Sequence, residues 1–188
     1  RTDVGAVLPA LAEEAGRLDF ATSLGERGRE VGTVEHLLSA AVGLGLDNLT
    51  VEVDGPEVPI LDGSSAPWVA EIRKAGLVSL GSAARPFAVT KTLSVHGPDG
   101  KWIEIRPSKD LRVSYSIDFP HPAVGRQSIS LVLTPETYAE HLAPARTFGF
   151  LAEYDYLRSK GLAQGASADN CIVVGESEVV NGGLRFGD

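Results

Sequence analysis

A carboxylate stands beside an imidazole in this sequence, at the predicted start of an apolar helix. Glu35 and His36 lie within residues 33–38. A histidine can bind a metal ion, and a neighbouring carboxylate can take a proton from a water molecule. Adjacent helical residues point about 100° apart, so His36 could reach a metal while Glu35 contacts the metal-bound water. The pair is a candidate metal and base site, although a Glu-His dipeptide taken alone is more often a solvated surface pair.

The helix that carries this pair is predicted from apolar periodicity. The i, i+3, i+4, i+7, i+8 pattern gives one buried face that excludes Glu35 and His36. Thr33 is expected to cap the first turn, and Gly43 and Gly45 to end the helix. The residues of the predicted buried face are Val34, Leu37, Leu38, Ala41 and Val42.

Two further motifs hold polar groups next to apolar segments. Asp62, Gly63 and Ser64 precede a predicted helix, so a turn and cap is the favoured interpretation. Thr147 follows Arg146 at the edge of an apolar strand, where a threonine alone indicates only a strand. Neither motif by itself predicts a reaction.

The remaining potential ligands do not form a metal-binding pattern. The single cysteine, Cys171, precedes a short β-type run and is predicted to be a buried structural thiol rather than a nucleophile or a ligand. His96, His121 and His141 are the other imidazoles, and their spacing does not match that of metal ligands. We expect loop and surface roles for all three.

Composition narrows the classes of function. The 188 residues are 43% apolar, enough to bury one or two cores. The net charge of −8 and the scattered basic residues argue against a nucleic-acid partner. Apolar runs are too short for stable membrane insertion, and no leader pattern opens the chain, which predicts a cytoplasmic protein. We predict no obligate protein partner.

The order of predicted elements indicates an α+β fold in two halves, residues 1–82 and 87–188, around a linker at residues 81–86. The first half is predicted to hold a strand at residues 50–53 and a helix from Pro67 to Gly76. The second half is predicted to hold a mostly antiparallel sheet with helices grouped beside it. Its strands are predicted at residues 87–95, 102–105, 113–119, 129–133 and 145–150, and its helices at residues 135–142 and 151–160.

Longer motifs carry a family resemblance. The chain reads TVEHLLSA at residues 33–40, GLGLDN at 43–48, EVPILDGSSAP at 57–67, IDFPHP at 117–122, ARTFGF at 145–150, and GLAQG at 161–165 followed by DN at 169–170. In this order the motifs resemble the zinc-dependent UDP-3-O-acyl-N-acetylglucosamine deacetylases of lipid A synthesis. The resemblance runs from Arg1 to about Asp188.

The resemblance implies a fold and a chemistry. It implies two similar domains, each a two-layer sandwich of sheet and helices, with the first domain incomplete. It implies a Zn²⁺ cofactor and hydrolysis of the N-acetyl group of the UDP-linked sugar, the committed step of lipid A biosynthesis. In that reaction His36 is a zinc ligand, Glu35 is the general base, and Thr147 donates a hydrogen bond to the oxyanion.

The resemblance also implies substrate contacts. Asp118 and Phe119 match the segment that meets the nucleotide, and Phe148 is a weaker addition. Leu157, Leu162 and Ile172 belong to a region that forms an apolar passage for the acyl chain, although they fit an ordinary core equally well.

Two further zinc ligands are expected in a family helix reading His-Lys-x-Leu-Asp, beyond the position of residues 184–186. The chain has no Met and begins at Arg1, so we expect a fragment, missing segments at both ends and inactive by itself. Two alternatives stay open. One is a non-catalytic module that binds the UDP-sugar and acyl chain, and the other is a different metal hydrolase that takes ligands from another chain.

Overall fold

The computed structural model describes residues 1–84, 86–161, 165, 167–182 and 184–186, and it mixes helices with short strands. The strands are β1 (Leu93–His96), β2 (Trp102–Ile105), β3 (Arg112–Asp118), β4 (Arg126–Val132), β5 (Phe148–Phe150) and β6 (Ile172–Val174). The α-helices are α1 (Glu35–Gly43), α2 (Ala66–Ala75), α3 (Pro135–Thr137) and α4 (Tyr154–Ser159). A π-helical turn, Tyr138–Leu142, continues α3, and 3₁₀ turns lie at Thr2–Val4, Ala12–Glu14, Pro98–Gly100 and Leu151–Glu153. This mixture is compatible with the predicted α+β class, whereas the repeat of two similar domains stays a prediction.

Helix α1 forms where the periodicity predicted it and ends at the predicted glycines. It stops at Gly43, and Gly45 takes a positive φ of 73° that favours glycine. Two details of the prediction were wrong. Val42 is 64% exposed, because the buried face instead runs through residues 37, 40, 41 and 44. The position before the helix is occupied by Val34 with no side-chain cap, since the Thr33 hydroxyl donates to the Glu57 carboxylate instead.

Two apolar clusters hold the fold together. The first joins the start of α1 to the segments on either side of it, and its buried members are Leu24, Val31, Val34, Leu37 and Val58. The second joins α1 and α2 to the π-helical turn of the other half, through Ala40, Leu44, Val69, Tyr138 and Ala143. Contact between the two predicted halves is therefore part of the core, and a domain division near residues 83–86 stays a prediction.

Gly43 allows the second cluster to close. A Cβ at Gly43 would lie 2.3 Å from carbon atoms of the Tyr138 ring. The Tyr138 ring is 3% exposed, and its hydroxyl lies 2.7 Å from the Ser39 hydroxyl. The absence of a side chain at Gly43 is thus what lets α1 approach Tyr138.

The strands pair as three separate two-stranded sheets in the described residues. The pairs β1–β2 and β3–β4 are antiparallel, whereas β5 and β6 are parallel, with Phe148 opposite Ile172. The predicted, mostly antiparallel pairing holds for two of the three pairs, but the strands do not join into one sheet in these residues. The predicted strand at residues 50–53 is wrong, because that segment has irregular backbone. That segment pairs with no strand among the residues that the structure describes, and its Val53 carbonyl accepts instead from the amide and hydroxyl of Thr2.

The predicted helix of residues 135–142 begins with a capping box. The Thr134 hydroxyl accepts from the Thr137 amide at 3.2 Å, and the Thr137 hydroxyl accepts from the Thr134 amide at 2.9 Å. Pro135 occupies the first helical position, where its missing N–H has no cost. None of the helices in the described part of the chain has the length and apolar character needed to cross a bilayer.

Candidate functional site

A cavity of about 1500 Å³, which we call the cleft, brings together residues from both halves of the chain. Glu35 and His36 of α1 line it on one side, and Thr147 and Phe148 at β5 line it on another. Small-molecule pockets usually measure about 300–1000 Å³, so this cleft has room for a large ligand. The predicted base, metal ligand and hydrogen-bond donor therefore share one cavity.

Glu35 enters the cleft from the first turn of α1. Its Oε2 atom accepts the backbone N–H of Thr22 at 3.0 Å. An acidic residue is favourable at this position because the helix dipole places partial positive charge there. The bond to Thr22 holds one carboxylate oxygen in place, and the other makes no hydrogen bond to the described residues, which suits a group that must accept a proton.

His36 is half-buried on the next position of α1. Its backbone carbonyl accepts the Ser65 hydroxyl at 2.9 Å. His36 lines the cleft, and its ring makes no hydrogen bond within the described ranges. This imidazole is available to a ligand or a metal ion.

Thr147 is held by its backbone on both sides. Its amide donates to the Gly63 carbonyl at 2.8 Å, and its carbonyl accepts the Ile172 amide at 2.9 Å. Its hydroxyl, by contrast, makes no hydrogen bond to any residue that the structure describes. A fixed backbone with an unused hydroxyl is the arrangement that a donor to a developing oxyanion requires.

The donors needed for a complete zinc site are not assembled by the described residues. Catalytic zinc usually has three protein ligands and an open position for water. Among the residues with a described placement, no three His, Cys, Asp or Glu side chains come together in a way that could hold a metal ion. These residues therefore do not fit a whole zinc site, although His36 can supply one donor.

The other imidazoles take the loop and surface roles that the sequence predicted. The His121 Nε2–H donates to the Gly175 carbonyl at 2.8 Å, and its Nδ1 accepts the Ala123 amide at 3.1 Å. His141 lies in the π-helical turn with half of its side chain exposed. His96 is exposed at the end of β1.

Cys171 is less buried than predicted. It is half-buried and lines the cleft. Burial raises the pKa of its thiol, and the nearby charge of Arg146 offsets only part of that effect. A thiol with a raised pKa is a poor nucleophile, in agreement with a structural role.

Two of the three predicted nucleotide contacts, Asp118 and Phe119, lie beside the cleft rather than among the residues that line it. Phe119 packs edge-on against Phe148, with ring centroids 5.6 Å apart, and lies 5.8 Å from Phe150. Asp118 is exposed at the end of β3, opposite Arg126. Phe148 connects this aromatic group to the cleft, since it lines the cleft and is 39% exposed.

The three predicted acyl-chain contacts differ in position. Leu157 on α4 is half-buried and lines the cleft together with Leu151 and Tyr154. Ile172 is buried in β6 and borders a smaller cavity of about 160 Å³ instead. Leu162 lies outside the described residues.

Sequence reasoning missed much of the wall of the cleft. Arg17, Arg27 and the hydrogen-bonded pair Thr33 and Glu57 all line it. Thr33 has a positive φ of 56°, a backbone conformation that the sequence does not predict for a residue other than glycine. The density of acidic residues in the first sixty positions was the available signal, because Glu13, Glu14, Asp19, Glu26, Glu30, Glu35 and Glu57 all face this cavity.

Comparison with known proteins gives a consistent result over the whole chain. A family model described as UDP-3-O-acyl N-acetylglycosamine deacetylase matches residues 1–188. The chain is 50% identical over 170 residues to the UDP-3-O-acyl-N-acetylglucosamine deacetylase of Nitratidesulfovibrio vulgaris, covering 90% of this chain and 54% of the relative. It is 47% identical over 170 residues to the protein of that name from Oleidesulfovibrio alaskensis, covering 90% of this chain and 55% of the relative.

A third relative of the same name, from Myxococcus xanthus, is 44% identical over 191 residues, which cover 100% of this chain and 60% of the relative. The chain therefore spans a little over half the length of the relatives that it matches.

Proposed function

Because the chain belongs to the UDP-3-O-acyl N-acetylglycosamine deacetylase family, we propose that it takes part, within a full-length protein, in hydrolysis of the N-acetyl group of UDP-3-O-acyl-N-acetylglucosamine. This reaction is the committed step of lipid A biosynthesis in the family that the motifs resemble. The observation that carries the proposal is the meeting of Glu35, His36 and Thr147 in one cleft.

The chemistry assigned to this chain begins with Glu35. Its carboxylate accepts a proton from the attacking water, and the hydroxide equivalent adds to the acetamide carbon. The carbonyl oxygen becomes an oxyanion, and the Thr147 hydroxyl donates a hydrogen bond to it. Glu35 then returns the proton to the departing nitrogen, so the C–N bond breaks and acetate and a free amine are formed.

The cleft and the aromatic group beside it offer contacts for each of the three parts of the substrate. Leu151, Tyr154 and Leu157 provide an apolar wall for an acyl chain. Arg17 and Arg27 are the cationic side chains of the described lining, and a diphosphate would have to bind beside them because the other charged side chains of the lining are acidic. Phe119 and Phe148 offer aromatic faces beside the cleft on which a base can stack.

Zinc dependence is part of the proposal through His36 alone. The described residues supply this one imidazole on the wall of the cleft. In the proposed full-length protein, the other ligands come from residues outside the described set. No step assigned above to Glu35 or Thr147 depends on where those ligands lie.

Acetate release from the UDP-linked substrate tests the proposal. We expect the full-length protein to be active, the isolated 188-residue chain to be inactive, and Glu35→Gln to lower kcat of the full-length protein by about 100-fold or more. Glu71→Gln is the matched control, since Glu71 is exposed on α2 and its one ion pair within the described residues is with Lys74 at 3.5 Å. A full-length protein that binds the substrate without releasing acetate would instead favour a non-catalytic binding module.

A further inference from the structure

Residues 62–65 form a loop that connects the two sides of the cleft. The Ser65 hydroxyl donates to the carbonyl of His36 at 2.9 Å. Two residues earlier, the Gly63 carbonyl accepts the amide of Thr147 at 2.8 Å. His36 and Thr147 both line the cleft, so this loop sets where α1 lies relative to the strand that follows Thr147.

The loop has little freedom to move. Gly63 has a φ of +82°, and a Cβ on it would lie 1.9 Å from the carbonyl oxygen of Asn170. The Asp62 Oδ1 atom accepts both the amide of Ser64 at 3.0 Å and its hydroxyl at 2.8 Å. A change in the orientation of Asp62 is therefore passed to the Gly63 carbonyl, and through it to Thr147.

Arg185 holds Asp62 in this orientation. Its Nη2 donates to the Asp62 Oδ2 at 2.6 Å, and its Nη1 donates to the carbonyl of Pro144 at 2.9 Å and contacts the Ser64 hydroxyl at 3.3 Å. Pro144 lies three residues before Thr147. The fork of the guanidinium thus fastens the loop directly to the segment that carries Thr147, a geometry that a lysine cannot reproduce.

The Arg185–Asp62 pair could contribute to the stability of the fold or to the orientation of Thr147, and the sizes of the two effects differ. The side chains of Arg185 and Asp62 are 36% and 35% exposed. Ion pairs with this much solvent access contribute little to stability. Misplacing a reacting group by about 1 Å, in contrast, can lower a rate by about 100-fold. Orientation is the larger effect.

On the basis of the deacetylase function proposed above, we propose that Arg185 is a positioning residue for the reaction. It acts through Asp62 and the loop of residues 62–65 on the placement of Thr147 relative to His36. The oxyanion that Thr147 contacts develops as the reaction approaches its transition state. Loss of Arg185 is therefore expected to lower kcat and to leave KM nearly unchanged.

Steady-state kinetics of the full-length protein test this role. We expect Arg185→Met to lower kcat per folded molecule by about 10- to 100-fold, with KM changed less than about threefold. Arg185→Lys restores part of kcat because it keeps the charge opposite Asp62. The double variant Asp62→Asn with Arg185→Met is no slower than the slower single variant, since the two residues act as a unit.

Arg1→Met is the matched control. Arg1 also pairs with a carboxylate, Asp3 at 2.8 Å, and also donates to a backbone carbonyl, that of Glu30 at 2.9 Å. We expect its kcat to equal that of the wild type. An unchanged kcat in Arg185→Met, or an equal fall in Arg1→Met, overturns the positioning role.

Amide hydrogen exchange gives a readout that does not depend on activity. In Arg185→Met the amide of Thr147, bonded to Gly63, is expected to exchange several-fold faster, whereas the amide of Val58, bonded to Gly32 at 3.0 Å, keeps its rate. Unchanged exchange at Thr147 contradicts the linkage. A wild type that releases no acetate would count against the proposed function, and the exchange result would still decide the linkage.

Discussion

Replacement of Gly43 by alanine tests the packing of α1 against the π-helical turn. The added Cβ would lie 2.3 Å from carbon atoms of the Tyr138 ring, far inside van der Waals contact. Tyr138 is 3% exposed, and its hydroxyl lies 2.7 Å from that of Ser39. The ring therefore cannot move away without giving up both its buried site and this hydrogen bond.

The expected cost follows from opposing terms. Overpacking a core by one carbon costs about 1–3 kcal/mol, and loss of the bond to Ser39 costs about 1 kcal/mol. Alanine in place of glycine at the last residue of a helix contributes at most about 1 kcal/mol in the opposite direction. We expect Gly43→Ala to lower the free energy of unfolding by about 2 kcal/mol, which for a chain of this size lowers Tm by about 4–8 °C.

Urea and thermal unfolding, followed by circular dichroism, measure this loss. The same substitution in a Tyr138→Leu background is the control, because a smaller side chain leaves room for the Cβ. There the cost of Gly43→Ala is expected to shrink toward zero or to change sign. A Gly43→Ala protein as stable as the wild type, or an equal cost in both backgrounds, would refute the packing argument.

Three further predictions concern the cleft and its supporting loop. Thr147→Val keeps the shape of the side chain but removes its donor, so kcat of the full-length protein should fall by about 100-fold; an unchanged kcat would remove Thr147 from the mechanism. Burial raises the pKa of Asp62, but hydrogen bonds from Arg185 and Ser64 outweigh it and leave that pKa below its usual 3.8. The contribution of Asp62 to stability is therefore complete above pH 3.8 and is lost as the pH falls through the lowered pKa. Asp62→Asn should accordingly lose less stability than the wild type on acidification. Equal losses of stability in urea titrations would contradict this. Leu157→Trp narrows the cleft at its apolar wall and should raise KM more for long-acyl than for short-acyl substrates. Equal increases in KM would place the acyl chain elsewhere.

Local signals in the sequence were sufficient for much of the secondary structure. Gly76 and Gly161 end their helices with positive φ angles of 81° and 71°, and Thr134 caps a helix that has Pro135 at its first position. Pro98, Asp99 and Gly100 are typical turn residues, and they join β1 to β2. These features depend on residues within a few positions of each other, which is why one sequence reveals them.

Features that depend on distant residues were not predictable in the same way. Thr33 was expected to cap α1, but the hydroxyl finds Glu57, which is 24 residues away. The parallel pairing of β5 with β6 joins segments separated by more than twenty residues, and period-two patterns do not specify a partner. The exposure of the Val42 side chain likewise depends on which face of α1 packs against Tyr138, and the periodicity of the helix does not specify that face.

The sequence selected candidate site residues but not the cleft that surrounds them. The order of motifs selected Glu35, His36 and Thr147, and the fold places all three on one cleft. The segment of residues 62–64 was expected to form a turn, and the hydrogen bonds from the Ser64 amide and hydroxyl to the Asp62 carboxylate confirm it. Its contacts with Arg185 and Thr147 span more than eighty residues, and therefore emerge only from the tertiary structure.

Zinc content and acetate release, measured in parallel on the full-length protein, test the central claim most directly. We predict that His36→Ala loses both bound zinc and acetate release, whereas Glu35→Ala keeps its zinc and loses only acetate release. Such a separation would assign metal binding to one residue of the pair and proton transfer to its neighbour. Full acetate release by Glu35→Ala, or full zinc content in His36→Ala, would contradict the account of the cleft.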